Sequence, residues 1–419
     1  MSSEDSIRGK NLLVISTGSD KKKNIFKQLH QLGLNIILLD QEMTPWAKQY
    51  VKKFIKADTN NTVSAVKSIT DYQSKSRGQL DGVLTFWEES TPLAAAVANK
   101  LHLPGFNYRI SKVIKHKANF RKLCKKYNIA APKYRVIKTK ADLNYVKRYF
   151  DFPIVVKPVY GSASVLVVKV EKAKDLDKTY TYIRDKQPGM KDADWLSLGT
   201  EILAEEYIGG KEVDIDVLIQ NGKIRFFSVC DNLATNEPYF IETGFNYPST
   251  LSEKHLKSIA KLTDKTVRAF GLKNGCLHYE AKIDKGEVVP IELNMRLGGD
   301  GLEKIIWDCY AIDIVELIAK IALGIRIPDL RKIEPVQHVI GRYILPLKSG
   351  TINKIKFPRA IKELDYVQDF YLGKHAGDKV GIPPLAYDYL GWLNVRCDDH
   401  GSCLKLLRAL LSKIKIKID

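Results

Sequence analysis

The sequence is short of several things that would classify it at once. Its 419 residues contain no run of eighteen apolar residues, so no segment reads as a membrane-spanning helix. The opening stretch, MSSEDSIRGK, is polar and acidic without an apolar core, which argues against a signal peptide and leads us to expect a cytoplasmic protein. Cysteine is scarce. Cys124, Cys230, Cys276, Cys309, Cys397 and Cys403 include no C-x-x-C pair, a pattern of reduced thiols rather than a disulfide frame or zinc site. There is no G-x-G-x-x-G, no internal repeat and no low-complexity segment beyond short lysine runs.

What is present in excess is positive charge, with 67 Lys and Arg against 48 Asp and Glu and a formal net charge of +19. A basic surface attracts nucleic acid, anionic lipid or acidic small substrates. Here the lysines are spread over predicted helix faces. Only 21–23 (KKK) and 122–126 (KLCKK) cluster, and neither is interleaved with stacking aromatics, so nucleic acid is not an expected partner. The 45% hydrophobic content supports a sizeable core, and the length calls for two or three domains.

Taken along the chain, KNLLVIS (10–16), a helix over about 21–32 and NIILLD make a βαβ opening whose single-glycine turn, at Gly18, cradles no phosphate. Asp40, ending the second strand, is expected in a loop. DGVLTF is a further strand, and WEESTPLAAAVANKLHLPG a helix ended by Pro-Gly. Residues 111–127 read as one helix, with Lys117 near its start. After the strand PKYRVI and the helix ADLNYVKRYF comes FPIVVKPVYGSASVLVVKV, two strands around a loop. Lys157 faces that loop, and Gly161, Ser162, Ala163 and Ser164 are small enough for backbone N–H groups to approach phosphates, although an ordinary hairpin turn is the alternative. ILAEEYIGGKEVDIDVL (202–218) reads strand, turn, strand. NEPYFIETGFNYPSTL (236–251) suits a loop over a pocket. Within it Glu242 offers its carboxylate either to a substrate ammonium group or to the cap of the next helix.

The most informative stretch is CLHYEAKIDKGEVVPIELNMRLGGD, 276–300. It reads as two strands joined by a turn at Asp284, Lys285 and Gly286. Alternation puts His278, Glu280 and Lys282 on one face of the first strand, and Glu292, Asn294 and Arg296 on one face of the second. A wet hairpin with ordinary salt bridges would look similar. However, two carboxylates and an amide oxygen are hard ligands suited to Mg²⁺, and a nearby arginine fork can hold phosphate oxygens, so the composition favours a metal–phosphate site. Gly298 to Gly301 then turn into one long helix, EKIIWDCYAIDIVELIAKIALG, whose N-terminal dipole could hold a substrate carboxylate beside Arg296. From about 328 the chain changes to short strands and a final amphipathic helix, a small α+β cap without a catalytic polar cluster.

Glu280, Glu292, Asn294 and Arg296, followed by Gly298 and Gly299, resemble the metal-binding end of the ATP-grasp ligases. Lys117 in HKANFR, Lys157 in IVVKPVYGSAS and the run Glu205–Glu212 (EEYIGGKE) occur upstream in the family's order. The resemblance covers nearly the whole chain. Within the superfamily, H-x-E at 278–280 and FIETGFNYPSTL are similar to the carboxylate–amine ligases, which include the L-amino acid (dipeptide) ligases. It implies an α/β and α+β multidomain protein with a Rossmann-like N-terminal domain (1–112), an ATP-grasp region (113–330, with a lid at about 118–203) and a small C-terminal α+β domain (331–419).

The resemblance further implies ATP and Mg²⁺ or Mn²⁺ as cofactors. Lys117, Lys157 and the 161–164 loop would hold phosphates, and Glu205 would accept from the adenine amino group. The backbone of Glu206, Tyr207 and Ile208 would frame the ring, and Glu212 would hold the ribose. Glu292 would bridge two metals, with Glu280 and Asn294 on one each. Arg296 would stabilise a tetrahedral intermediate, while Glu242, Arg296, Gly298 and Gly299 would hold substrate. His278 is a substrate contact, a proton acceptor, or a histidine satisfied by a backbone carbonyl. The implied reaction joins a carboxylate to an amine through an acyl phosphate, releasing ADP and phosphate, with amino acids as expected substrates, no membrane, and at most a second copy of the chain in a homodimer. The rivals are a carboxyphosphate-using enzyme of purine or biotin chemistry, a non-catalytic nucleotide sensor and a basic nucleic-acid-binding protein. Two departures stand out: His116 replaces the family's common Asp, and Leu166 replaces a frequent Gly, which points to a stiffer flap.

Overall fold

The computed structural model describes residues 6–75, 79–190, 194–233 and 237–419. The first five residues, and Asn236 at the start of the expected pocket loop, lie outside these. The chain opens with β1 (Asn11–Ile15), α1 (Lys23–Gln31), β2 (Asn35–Asp40), β3 (Val51–Lys56), α2 (Thr62–Lys75), β4 (Gly82–Leu84) and α3 (Thr91–Lys100). The strands form a parallel sheet ordered β3-β2-β1-β4. The central strands are continuous apolar runs because helices cover both faces. β3 and α2 were not anticipated: VKKFIK carries three lysines and reads as surface, as an edge strand can. Asp40 is not a loop residue. It ends β2, and its carboxylate accepts from the Thr17 N–H (2.8 Å) and hydroxyl (2.9 Å), pinning the turn after β1.

The single helix expected over 111–127 is two, α4 (Tyr108–Lys115) and α5 (Lys117–Lys126). His116 between them is extended, and its ring accepts from the Asn119 N–H at 3.3 Å as the cap of α5. A side-chain acceptor at that position satisfies an otherwise orphaned helix-terminal donor.

A small antiparallel sheet follows, from β5 (Tyr134–Ile137), α6 (Lys140–Tyr149), β6 (Ile154–Pro158), β7 (Val168–Val170), α7 (Leu176–Lys186) and β8 (Ile202–Glu206), in the order β5-β8-β6-β7. It has its own apolar core under α6 and α7. Leu166, at φ 60°, occupies the left-handed region that glycine favours, yet its side chain is 1% exposed within that core.

Beyond it lie β9 (Lys211–Gln220), β10 (Lys223–Asn232), β11 (Gly244–Tyr247), α8 (Glu253–Ala269), β12 (Gly275–Asp284), β13 (Glu287–Asn294), α9 (Leu302–Tyr310) and α10 (Ile314–Ala322). The last part adds β14 (His338–Ile344), β15 (Gly350–Lys356), β16 (Val367–Leu372), β17 (Lys379–Val380), β18 (Gly391–Cys397), α11 (His400–Leu411) and β19 (Lys415–Ile418). β8 and β9 are not partners in a hairpin: β8 belongs to the small sheet, and β9 is interior to an eight-stranded sheet ordered β13-β12-β9-β10-β11-β14-β18-β16. The C-terminal strands β14, β18 and β16 thus extend the central sheet, while β17-β15-β19 form a separate one. The segment expected as a loop over a pocket contains a strand, β11, which joins β10 to β14. The long helix expected after Gly301 is also two, because Ala311 turns left-handed at φ 53° and Asp313 caps α10 by accepting from the Glu316 N–H.

Candidate active site

The β12–β13 hairpin forms as its alternation requires, with one correction at its centre. Glu280 pairs with Glu292 and Ala281 with Pro290, leaving Ile291 as a bulge on the edge strand. Proline is tolerated at such an edge position, and the bulge frees the Ile291 carbonyl from the ladder. Register across the large sheet then sets the polar residues in rows. One row runs Asn294, His278, Asp216 and Ser228, the next Glu292, Glu280, Asp214 and Cys230, and the third Lys282, Glu212, Asn232 and Phe245. Apart from Ser228, these rows floor a cleft of about 340 Å³ that the small sheet and its 161–164 loop roof.

At one end, Lys117 on α5 donates to the Gly161 carbonyl at 2.9 Å and lies 3.0 Å from Glu292 Oε2. Lys157 on β6 lies 2.6 Å from Glu205 Oε2, and Arg121 Nε donates to Glu205 Oε1 at 2.8 Å. Arg121 also donates to the freed Ile291 carbonyl at 2.6 Å, so it ties the small sheet to the large one. Burial raises the Glu205 carboxyl, but Arg121 and Lys157 outweigh it and hold the group at about 2. Burial draws the Lys157 ammonium down although Glu205 opposes it. The Glu205 carboxylate expected on an adenine is therefore already engaged by two cations, and what β8 offers a ring is backbone. Glu206 to Ile208 line the cleft as the chain crosses between sheets. Gly210 permits that crossing, since at φ 75° a Cβ there would come within 1.9 Å of the Ile283 carbonyl oxygen. Glu212 is 3.4 Å from Lys282 Nζ.

In the middle, burial first and Glu292 second push the Glu280 carboxyl up to about 8. Two carboxylates in one row without enough positive charge between them make an arrangement that a divalent cation would relieve. Asn294 satisfies most partners with its amide nitrogen toward Glu88, at 3.1 and 3.0 Å from the two carboxylate oxygens, which turns its oxygen toward Glu280. The donor set is all oxygen and fits Mg²⁺. No three His, Cys, Asp or Glu side chains among the described residues form a ready ligand set, so the remaining positions would fall to phosphate oxygens and water.

At the far end, Arg296 is held by Glu88 (Nε to Oε2, 2.8 Å), and Lys115 reaches the other Glu88 oxygen at 3.0 Å. Burial opposes ionisation of Glu88, but the two cations keep its carboxyl below the usual range. His278 is not satisfied by a backbone carbonyl. Its Nδ1 lies 3.0 Å from Asp216 Oδ1 and its Nε2 3.9 Å from Asp214 Oδ2, and these carboxylates overcome burial and raise it to about 10. Glu242 lines the cleft and caps no helix, since α8 starts from Ser252. Burial, then Asp300 and Asp214, push its carboxyl up to about 8. Gly299 lines the cleft, but Gly298 does not. A Cβ there would meet Leu302 and the His278 ring at 2.7 and 2.8 Å, so its place is to let α9 close down on the histidine. Asp300 bonds Lys21 at 2.7 Å and accepts from the Tyr343 hydroxyl.

Glu88, Asp214 and Asp216 were not singled out in the sequence, and Arg121 only as the end of the K-x-x-x-R run that begins at Lys117, not as a partner of Glu205. The two aspartates were readable, since Glu212, Asp214 and Asp216 alternate in KEVDIDV. Glu88 arrives from the N-terminal sheet by a long-range approach that no local pattern signals.

Comparison with known families matches an ATP-grasp N-terminal domain at residues 26–105, an ATP-grasp domain at 150–304 and an L-amino acid ligase C-terminal domain 2 at 342–419. The chain is 25% identical over 338 residues to carnosine synthase 1 of Homo sapiens, covering 76% of this chain and 40% of that one, and so spans about two fifths of that relative's length. It is 21% identical over 281 residues to an L-arginine-specific L-amino acid ligase of Bacillus subtilis, covering 66% and 65%. Among solved structures, the L-amino acid ligase from Bacillus licheniformis superposes with a TM-score of 0.81 at 25% identity, covering 98% of this chain and 99% of that one. No helix among the described residues is long and apolar enough to cross a membrane.

Proposed function

The chain is an ATP-grasp protein, resembling the carboxylate–amine ligases of that superfamily, and from this premise we propose that it joins a carboxylate to an amine at the expense of ATP, through an acyl phosphate, with amino acids as substrates. The observation that carries this reading is a single cleft in which Glu280, Glu292 and Asn294 lie in adjoining rows of one sheet, with Lys117 and Lys157 at one end and Arg296 at the other.

In this reading the nucleotide lies between the two sheets, its adenine against the backbone of Glu206, Tyr207 and Ile208 and its ribose at Glu212. Lys117, Lys157 and the backbone of Gly161, Ser162, Ala163 and Ser164 hold its phosphates. Bound Mg²⁺, held by Glu280, Glu292 and Asn294, would neutralise phosphate oxygens as charge shifts in phosphoryl transfer. The carboxylate to be activated is anionic too, and Arg296, fixed by Glu88, offsets its repulsion from the phosphate. Because Glu88 positions the guanidinium before substrate arrives, little reorganisation is left for the reaction itself. Glu242 receives the substrate ammonium group, and Gly299 brings the α9 N-terminus to the substrate side. His278, flanked by Asp216 and Asp214, contacts the substrate in its cationic form. A cytoplasmic setting agrees with six cysteines that are all free thiols.

The test is phosphate release from ATP·Mg²⁺ with amino acids supplied singly and in pairs. Release that requires amino acids, with an amide product, is the expected result. Release that requires bicarbonate and no amino acid would replace this reading with carboxyphosphate chemistry.

A further inference from the structure

The 161–164 loop hangs between β6 and β7, and the two strands are held differently. β6 pairs with β8, and there Lys157 and Arg121 meet at Glu205. β7 is the outer strand of the small sheet, at the edge opposite β5. At three residues, an edge strand has few ladder bonds of its own to fix it. Its free side is met by residues 237–239. The Lys169 N–H donates to the Pro238 carbonyl at 2.8 Å, Val168 bridges to Tyr239, and Lys169 Nζ lies 2.6 Å from Glu237 Oε2.

A third part of the chain closes this junction. The C-terminal domain brings Tyr387 against the apolar core of the small sheet, where its ring meets that of Tyr239 edge-on at 6.4 Å. The Tyr387 hydroxyl lies 3.2 Å from that of Tyr182 on α7, and the Tyr182 hydroxyl lies 3.0 Å from the Pro384 carbonyl oxygen. A carbonyl oxygen can only accept, so the Tyr182 O–H points to Pro384 and the Tyr387 O–H donates to Tyr182. The turn that carries Tyr387 is itself braced within the C-terminal domain. The Ile382 N–H donates to Ser349 Oγ at 3.0 Å, and the Gly381 N–H to Asp388 Oδ2 at 2.8 Å. A braced turn can hold the small sheet instead of following it. Neither hydroxyl lines the cleft, so any effect on ligands must pass through the position of the sheet. We propose that Tyr387 is a positioning residue: from the C-terminal domain it fastens α7 through Tyr182 and the β7 edge through Tyr239, and so sets the 161–164 loop where its backbone N–H groups meet the nucleotide phosphates. This rests on the nucleotide placement proposed above and gives the C-terminal domain a part in it.

The test measures binding of ATP·Mg²⁺, and of adenosine, which carries no phosphate, to the full chain by titration calorimetry. Tyr387→Phe keeps the ring and its contact with Tyr239 and removes only the donated bond, whereas Tyr182→Phe removes both bonds from the α7 side. Affinity for ATP·Mg²⁺ is expected to fall about five-fold in Tyr387→Phe, the worth of one neutral hydrogen bond, and further in Tyr182→Phe. Adenosine affinity should be unchanged in both, because only the phosphates reach the loop. A loss of adenosine affinity as large as that of ATP·Mg²⁺ would mark a general loosening of the cleft and overturn the proposal. Unchanged ATP·Mg²⁺ affinity in the folded variants overturns it as well, and either result leaves the nucleotide site standing. Should Tyr387→Phe fail to fold, Tyr182→Phe decides by the same comparison. If the unaltered protein binds no ATP·Mg²⁺, the nucleotide reading fails and this inference falls with it.

Discussion

Arg121 is the side chain whose removal gives the most quantitative test of how the two sheets are held. It is 0% exposed, donates to both Glu205 oxygens at 2.8 and 3.3 Å, and donates to the Ile291 carbonyl at 2.6 Å. In Arg121→Met the volume is nearly kept, but Glu205 retains only Lys157 and the bulged carbonyl loses its donor. Breaking a buried pair from one side costs about 3–5 kcal/mol. The depressed Glu205 carboxyl gives a second figure of similar size: held at about 2 against an ordinary 4.5, it corresponds to about 3.5 kcal/mol at neutral pH at 1.4 kcal/mol per unit, shared between Arg121 and Lys157. Because the folded value is the lower one, this stability is fully present above pH 4.5 and lost as pH falls toward 2. Denaturant unfolding at pH 7 and pH 3 should therefore show a large deficit in the variant at pH 7 that shrinks by about half or more at pH 3. A deficit below about 1 kcal/mol at pH 7, or one independent of pH, would refute the assignment of Arg121 as the tie between the sheets.

Glu292→Gln should abolish turnover while leaving the fold and nucleotide binding nearly intact, since the isostere keeps volume and loses the charge; near-normal phosphate release would remove Glu292 from the metal site. Mg²⁺ and nucleotide together should protect Gly161–Ser164 from proteolysis more than nucleotide alone, and equal protection would make the loop a static turn. Glu88→Gln should lower kcat by about 100-fold through misplacement of Arg296, with little change in ATP affinity; a matching loss of ATP binding would indicate a folding defect instead. Glu242→Ala should raise KM for an α-amino acid far more than for its des-amino analogue, by the factor corresponding to about 2–5 kcal/mol, and equal effects on both would exclude ammonium recognition there.

The parts of the fold that the sequence exposes are those governed by local period. The alternation in 278–296 gives the faces of β12 and β13 correctly because side-chain direction in a strand follows from chirality alone. The breaks at His116 and Ala311 stay hidden because neither position carries the Gly or Pro that usually punctuates a helix. Pairing of β11 with β14 joins residues about a hundred positions apart, and nothing within either segment encodes that choice. Leu166 shows a conflict between levels. Its backbone conformation is one that glycine favours, while its buried side chain anchors the loop to the lid core.

β9 acts as a ruler laid along the cleft. Glu212, Asp214 and Asp216 stand at successive same-face positions, about 6.7 Å apart by strand rise, facing in turn Lys282, Glu280 and His278 on β12. Between them Val213, Ile215 and Val217 point into the opposite, apolar core. A one-residue insertion or deletion at the start of the strand would exchange the two sets, driving three carboxylates into that core and three aliphatics into the cleft. This segment can therefore diversify only by substitution. Swapping the acid at 216 alters the cleft beside His278 without displacing the other two carboxylates.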